Sequence, residues 1–152
     1  MNLKKRLTTI AISVMALGAA VFAGESLSGG APVAEAAATP TCTTMKYVNR
    51  YGVGYHLPAA SNGSTICVVG PANGGTKLVS VEVIQNAARA ESYKFNIAKD
   101  GYYGEQTAGF IRYVQDEAEI AVDGIYGPQT CVETFWPVQV GSTIAVRPAS
   151  CA

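Results

Sequence analysis

The chain is poor in the groups that most catalytic chemistries need. It has one histidine, His56, and its four cysteines contain no Cys-x-x-Cys pair. A zinc site needs several His, Cys or carboxylate ligands in close array, so one histidine cannot supply the usual set and no metal is expected. A Ser–His–acid triad would have to use His56 in a Tyr- and Gly-rich stretch, with no Gly-x-Ser-x-Gly turn to present the nucleophile. No Ser-x-Gly-Cys context surrounds any cysteine, which argues against a thiol transpeptidase. The acids Asp116, Glu117 and Glu119 could form a glycan-cleaving pair, but such a run reads as a solvated helix face. No enzyme and no cofactor are expected.

An excess of either charge is missing too. Removing residues 1–38 takes away Lys4, Lys5, Arg6, Glu25 and Glu35, leaving 8 basic and 9 acidic side chains. No basic cluster follows, so nothing supports a nucleic-acid partner. The longest apolar stretch, Leu7 to Phe22, has 16 residues, short of the roughly 20 that span a bilayer. A stable membrane anchor is therefore not expected.

The same stretch follows Lys4, Lys5 and Arg6 and is followed by small residues. Val21-Phe22-Ala23, Ala34-Glu35-Ala36 and Ala36-Ala37-Ala38 all suit a cleavage site. Residues 1–38 are read as a secretory signal, with cleavage after Ala23 as an alternative. No cysteine lies close behind the apolar core, so a released product is expected, outside the cell. The later site leaves 114 residues, one domain's worth. An even cysteine count in a small exported chain implies two disulfides. Of three pairings, sequence locality favours Cys42–Cys67 and Cys131–Cys151.

Three regions follow the signal. Residues 39–73 lack helical periodicity: Tyr47, Tyr51, Val53 and Tyr55 fall at odd positions, which predicts short strands or a hairpin. Ala60 to Ser64 reads as a turn, Ser64 to Val69 as a returning strand and Pro71 to Gly75 as a loop. Residues 74–136 carry helix patterns. Val81, Ile84, Gln85 and Ala88 share one face of a helix ending near Ala90. A second helix starts near Glu105, with Thr107, Phe110, Ile111 and Val114 inward. A third starts at Pro128 and is short, because Pro137 cannot continue it. Residues 137–152 form a β-type extension turning at Gly141-Ser142 and closed by Cys151, while Trp136 caps the core.

A shift of 23 residues brings Ala98–Thr107 onto Ala121–Thr130, and seven of the ten aligned positions are identical. Two copies of one structural device explain that best. In each copy, Asp100-Gly101 or Asp123-Gly124 makes a tight turn, with glycine in a conformation closed to other residues. Tyr103 and Tyr126 can plug the space beneath. Gly104 and Gly127 fall where a helix N-cap is expected, with Glu105 or Pro128 at the first helical position. Thr107 and Thr130 can bond the backbone of that first turn.

The arrangement resembles the peptidoglycan-binding domain family of bacterial wall proteins. Val81, Ile84 and Gln85 match its opening helix. Asp100, Gly101, Tyr103, Gly104 and Thr107 match its first launch, Ile111 and Gln115 its second helix, and Asp123, Gly124, Tyr126, Gly127, Pro128 and Thr130 its last launch. The chain departs from it at Val114, where Phe is usual, and at Glu119, where Gly is usual. The resemblance implies a mainly α fold: a three-helix bundle with short β additions at both ends, pinned by the two disulfides. It also implies a secreted, non-catalytic protein that binds peptidoglycan or its stem peptides. A groove near the helix launches would hold the ligand, with Tyr102, Tyr103, Gln106, Thr107 and Gln129 as candidate contacts. The alternative is a secreted protein-interaction scaffold or inhibitor reusing the fold, its partner another secreted protein.

Overall fold

The computed structural model describes residues 38–50, 52–91, 95–138, 145, 146, 148 and 151, all within one unit, Ala36–Ala152. The signal and its cleavage sites, apart from Ala38, lie outside the described residues, as does the turn at Gly141-Ser142. Strands β1 (Thr44–Arg50) and β2 (Val53–Ala59) form an antiparallel hairpin with Arg50 opposite Val53. Helices α1 (Val79–Glu91), α2 (Glu105–Glu117) and α3 (Pro128–Glu133) follow. A two-residue pair, β3 (Trp136–Pro137) with β4 (Ala145–Val146), is the last regular element.

The expected inward faces of α1 and α2 are the buried ones. Val81, Ile84, Gln85 and Ala88 of α1 meet Thr107, Phe110, Ile111 and Val114 of α2 in the interior. Burying an aliphatic or aromatic side chain of this kind contributes about 2–3 kcal/mol. Trp136 is fully enclosed, lies edge-on to Tyr126 at 6.0 Å, and donates its indole N–H to the Cys131 carbonyl at 3.1 Å. Phe95, ahead of the first launch, lies edge-on to Phe110 at 5.3 Å and tilted against Tyr113 at 5.1 Å.

The three helices, the antiparallel strand pair and both disulfides are present, yet the β part is more than an addition. Tyr55 and Leu57 of β2, with Cys42, Cys67 and Val69, belong to the same core as the helices. Helix α1 packs more extensively on the hairpin than on α2. The returning strand expected over Ser64–Val69 is not a strand. Val68 instead bridges Thr41 in parallel, and Val69 exchanges backbone bonds with Tyr126 at 2.9 and 3.0 Å. Residues 39–73 thereby hold the second launch through a non-local pairing that periodicity does not reveal. Pro71–Asn73 forms a single 3-10 turn. The last pairing begins at Trp136, one residue ahead of the 137–152 extension expected from the sequence.

The disulfides are Cys42–Cys67 and Cys131–Cys151, with Cα separations of 5.1 and 6.2 Å, within the usual bridging range. They sit close together: Thr65, inside the first loop, donates its hydroxyl hydrogen to the Cys151 carbonyl.

Helix α2 ends in two tightening backbone bonds, Ile120 N–H to the Gln115 carbonyl and Glu119 N–H to the Asp116 carbonyl, at 3.0 and 3.1 Å. This pattern places the residue after the cap in the left-handed region, and Glu119 has φ of 55°. Glu119 is the position where the resembling family carries Gly, and this left-handed backbone suits Gly better than Glu. Glu119→Gly is expected to raise stability by about 1 kcal/mol, read as a higher urea midpoint at unchanged slope.

Candidate functional site

Each launch is held by a buried glutamine from the preceding helix, and the two copies agree closely. The Gln85 side-chain oxygen accepts the N–H groups of Asp100 and Gly101 at 3.0 and 2.9 Å. Its NH2 donates to Asp100 Oδ1 at 2.8 Å, the Tyr102 carbonyl at 3.1 Å and Thr107 Oγ1 at 3.3 Å. Gln115 repeats this one launch later. It accepts from Asp123 and Gly124 at 3.1 and 2.9 Å, and donates to Asp123 Oδ1, the Ile125 carbonyl and Thr130 Oγ1 at 2.8, 3.0 and 3.3 Å. A glutamine among inward apolar positions must find partners for both ends of its amide. Here the partners are the turn's own backbone and the first helical threonine. The resemblance marked both glutamines by position; their role as clamps emerges from these bonds.

Asp100 and Asp123 act as turn formers. Asp100 Oδ1 accepts the Tyr102 N–H at 2.9 Å, and Asp123 Oδ1 the Ile125 N–H at 2.8 Å. The Tyr102 amide, then the Gln85 amide, hold the Asp100 carboxyl below its ordinary value of 3.8. Gly101 and Gly124 have φ of +81° and +72°. A Cβ on Gly101 would lie 3.1 Å from the Leu78 carbonyl, so both conformation and space require glycine there. Gly104 and Gly127 occupy the N-caps of α2 and α3, with Pro128 opening α3 as read from the sequence. Glu105, in the first turn of α2, pairs with Arg112.

The two tyrosine plugs differ in one atom's fate. Tyr103 donates its hydroxyl hydrogen to the Gly124 carbonyl at 2.8 Å, tying the first launch to the second. The Tyr126 hydroxyl is buried with no hydrogen-bond partner among the described residues. Burial pushes both phenols well above their usual range. Tyr103→Phe should therefore cost about 1 kcal/mol, while Tyr126→Phe should be neutral or stabilising because it removes an unsatisfied hydroxyl. Paired urea melts check this; equal losses in both variants would contradict the assignment.

Beside the first launch lies a hollow of about 140 Å³. Its lining includes the buried Gln85 and Thr107 and the exposed Ala98, Asp100, Tyr102 and Gln106. Tyr102 is 45% exposed and Gln106 is also open to solvent, whereas Thr107 is buried against Gln85. Tyr103 sits behind the hollow as a core plug, without lining it. Gln129 is exposed at the start of α3, on the other launch. Of the five candidate contacts, the fold thus brings Tyr102, Gln106 and Thr107 to one cavity.

Comparison with known families places this geometry. Residues 79–131 match the family model described as putative peptidoglycan binding domain. The segment carries the family's resemblance from the first residue of α1 to Cys131 in α3. No curated protein and no solved structure matches the chain. Both launches, both clamping glutamines and every lining residue of the hollow lie inside the matched segment. The hairpin, both bridge partners Cys42 and Cys67, and the chain end from Val132 lie outside it.

Proposed function

We propose that the chain is an exported, non-catalytic protein that binds the bacterial wall polymer through the hollow at its first launch. The observation that carries this reading is the coincidence of that hollow with the peptidoglycan-binding-domain segment. Tyr102 offers an aromatic face and Gln106 an amide that can both donate and accept, beside Gln85, which holds the Tyr102 carbonyl. A few placed polar groups around a rigid concavity are what small-ligand recognition uses. Export is supported by the basic, then apolar, then small-residue start and by two disulfides.

The non-catalytic part of the reading rests on residue chemistry. All four thiols are consumed in bridges, which removes a cysteine nucleophile. His56 lies edge-on to Tyr47 at 5.4 Å on the hairpin and does not line the launch hollow. Zymography on wall substrate tests this part, and a clearing band at the protein's mass would refute it.

Co-sedimentation of the oxidised protein with purified sacculi tests the binding. The protein is expected in the pellet, and Tyr102→Ala or Gln106→Ala should each weaken binding about tenfold with little change in melting. Gln129→Ala should have a smaller effect, since Gln129 lies outside the hollow. Full retention in the supernatant would refute the reading.

One observation favours a second reading, a secreted protein-interaction scaffold. Met45 and Tyr47 project from β1 at 47% and 54% exposure, outside the matched segment. Because residues 39–73 share the core, truncation would unfold the protein, so Tyr47→Ala is the discriminating change. Loss of partner capture with sacculus binding intact would support the scaffold.

A further inference from the structure

A second cleft lies where the hairpin meets α1. It encloses about 210 Å³, the scale of one residue of a larger ligand and below the usual range of about 300–1,000 Å³ for whole small-molecule pockets. Its apolar wall is built from Met45 of β1, Val79 and Val83 of α1, and Pro137 of β3. Met45 and Pro137 lie outside the peptidoglycan-binding-domain segment, so the cleft exists only because this chain adds strands to it.

The cleft and the launch hollow are neighbours that share no residue. Along the approach to the first launch, Ala98 and Asp100 line the hollow while Lys99 lines the cleft. On α1 the division falls between Gln85, in the hollow, and Asn86, in the cleft. Extended backbone sends successive side chains to opposite sides, which explains the first division.

The charges in the cleft are not balanced by one another. Glu82 is already paired with Lys77 at 3.7 Å. Lys99 forms no ion pair among the described residues. With Asn86 and His56 as further hydrogen-bonding groups, the cleft offers donors and one free cation beside a small apolar wall. We propose that this cleft binds a carboxylate adjoining a small apolar group, as at the C-terminal end of a peptide, with Lys99 and Asn86 on the carboxylate. Val79, Val83, Met45 and Pro137 then cover the terminal side chain. The size of the cleft admits one residue, which makes the chain end, with its charge and side chain on the same residue, the fitting peptide element. This site is separate from the wall-binding reading and does not depend on it.

The test is an amide-resolved NMR titration of the whole oxidised protein with N-acetylated Ala-Ala-Ala, its C-terminal amide, and sodium acetate. The free-acid peptide is expected to shift the signals of Met45, Val83, Asn86 and Lys99 saturably. Amidation, or Lys99→Ala in the protein, should weaken binding about tenfold, as expected for loss of a charge-assisted contact. Acetate should bind more weakly than the peptide, because it carries no chain to cover the wall. Equal binding of acid and amide, equal binding of acetate, an unchanged response in Lys99→Ala, or no shifts at the cleft would each overturn the proposal. Gln106→Ala, which alters the hollow alone, should leave the peptide response unchanged. Sacculus binding by the wild type is read separately, so failure at the cleft and failure of wall binding are distinguishable.

Discussion

Replacing all four cysteines by alanine is expected to abolish cooperative folding at physiological temperature. The bridges close sequence separations of 25 and 20 residues. By loop-closure entropy each contributes about 3 kcal/mol, and together about 6. A domain of this size has about 5–15 kcal/mol of net stability to lose. Cys131–Cys151 also secures the end of the chain, and the Thr65–Cys151 hydrogen bond couples that end to the loop closed by Cys42–Cys67. Variants lacking one bridge should retain a single urea transition at a lower midpoint. A fourfold variant with the wild-type midpoint would contradict this account of the fold.

The second large effect belongs to the clamps. Gln85→Leu and Gln115→Leu keep the buried volume but leave two turn N–H groups and a carbonyl without their partner. Each should cost about 3 kcal/mol, since a buried polar group deprived of its bond loses its full desolvation cost. The near-identical geometry of the copies predicts near-identical losses, and the double variant should not fold. Hydrogen exchange adds a local readout: the Asp100 and Gly101 amides should lose protection in Gln85→Leu, and those of Asp123 and Gly124 in Gln115→Leu. Loss of less than about 1 kcal/mol in both single variants would show that the turns hold themselves.

These two expectations also mark how far the sequence could be read. Wherever the determinant was local, the sequence was explicit. Spacing placed Val81, Ile84, Gln85 and Ala88 on one buried face, Pro128 opened α3, and Asp-Gly pairs announced turns whose glycines have positive φ. Proximity along the chain was enough to order the bridges. The departure at Glu119 likewise turned out to mark a real backbone requirement.

What escaped the sequence depends on distant residues meeting. Nothing in the run Ser64–Val69 signals that Val69 will pair with Tyr126 rather than with the hairpin. The weight of Tyr55 and Leu57 in the core follows from α1 lying on β2, a contact without periodic trace. The site was legible in the same measure. The first launch was identified from its repeat, and Tyr102, Gln106 and Thr107 do meet at one hollow. Tyr103 was separable from them only by its burial and its bond to Gly124, in the other copy. The cleft at Lys99 needs β1, β2, α1 and β3 together, so no single stretch could announce it.

The most direct measurement of the central claim is a map of where soluble wall fragments touch the oxidised protein. Chemical-shift changes on titration with muropeptides are predicted to concentrate at Tyr102, Gly104 and Gln106, around the first-launch hollow. Changes confined to the outer face of the hairpin, or none at saturating fragment, would contradict it.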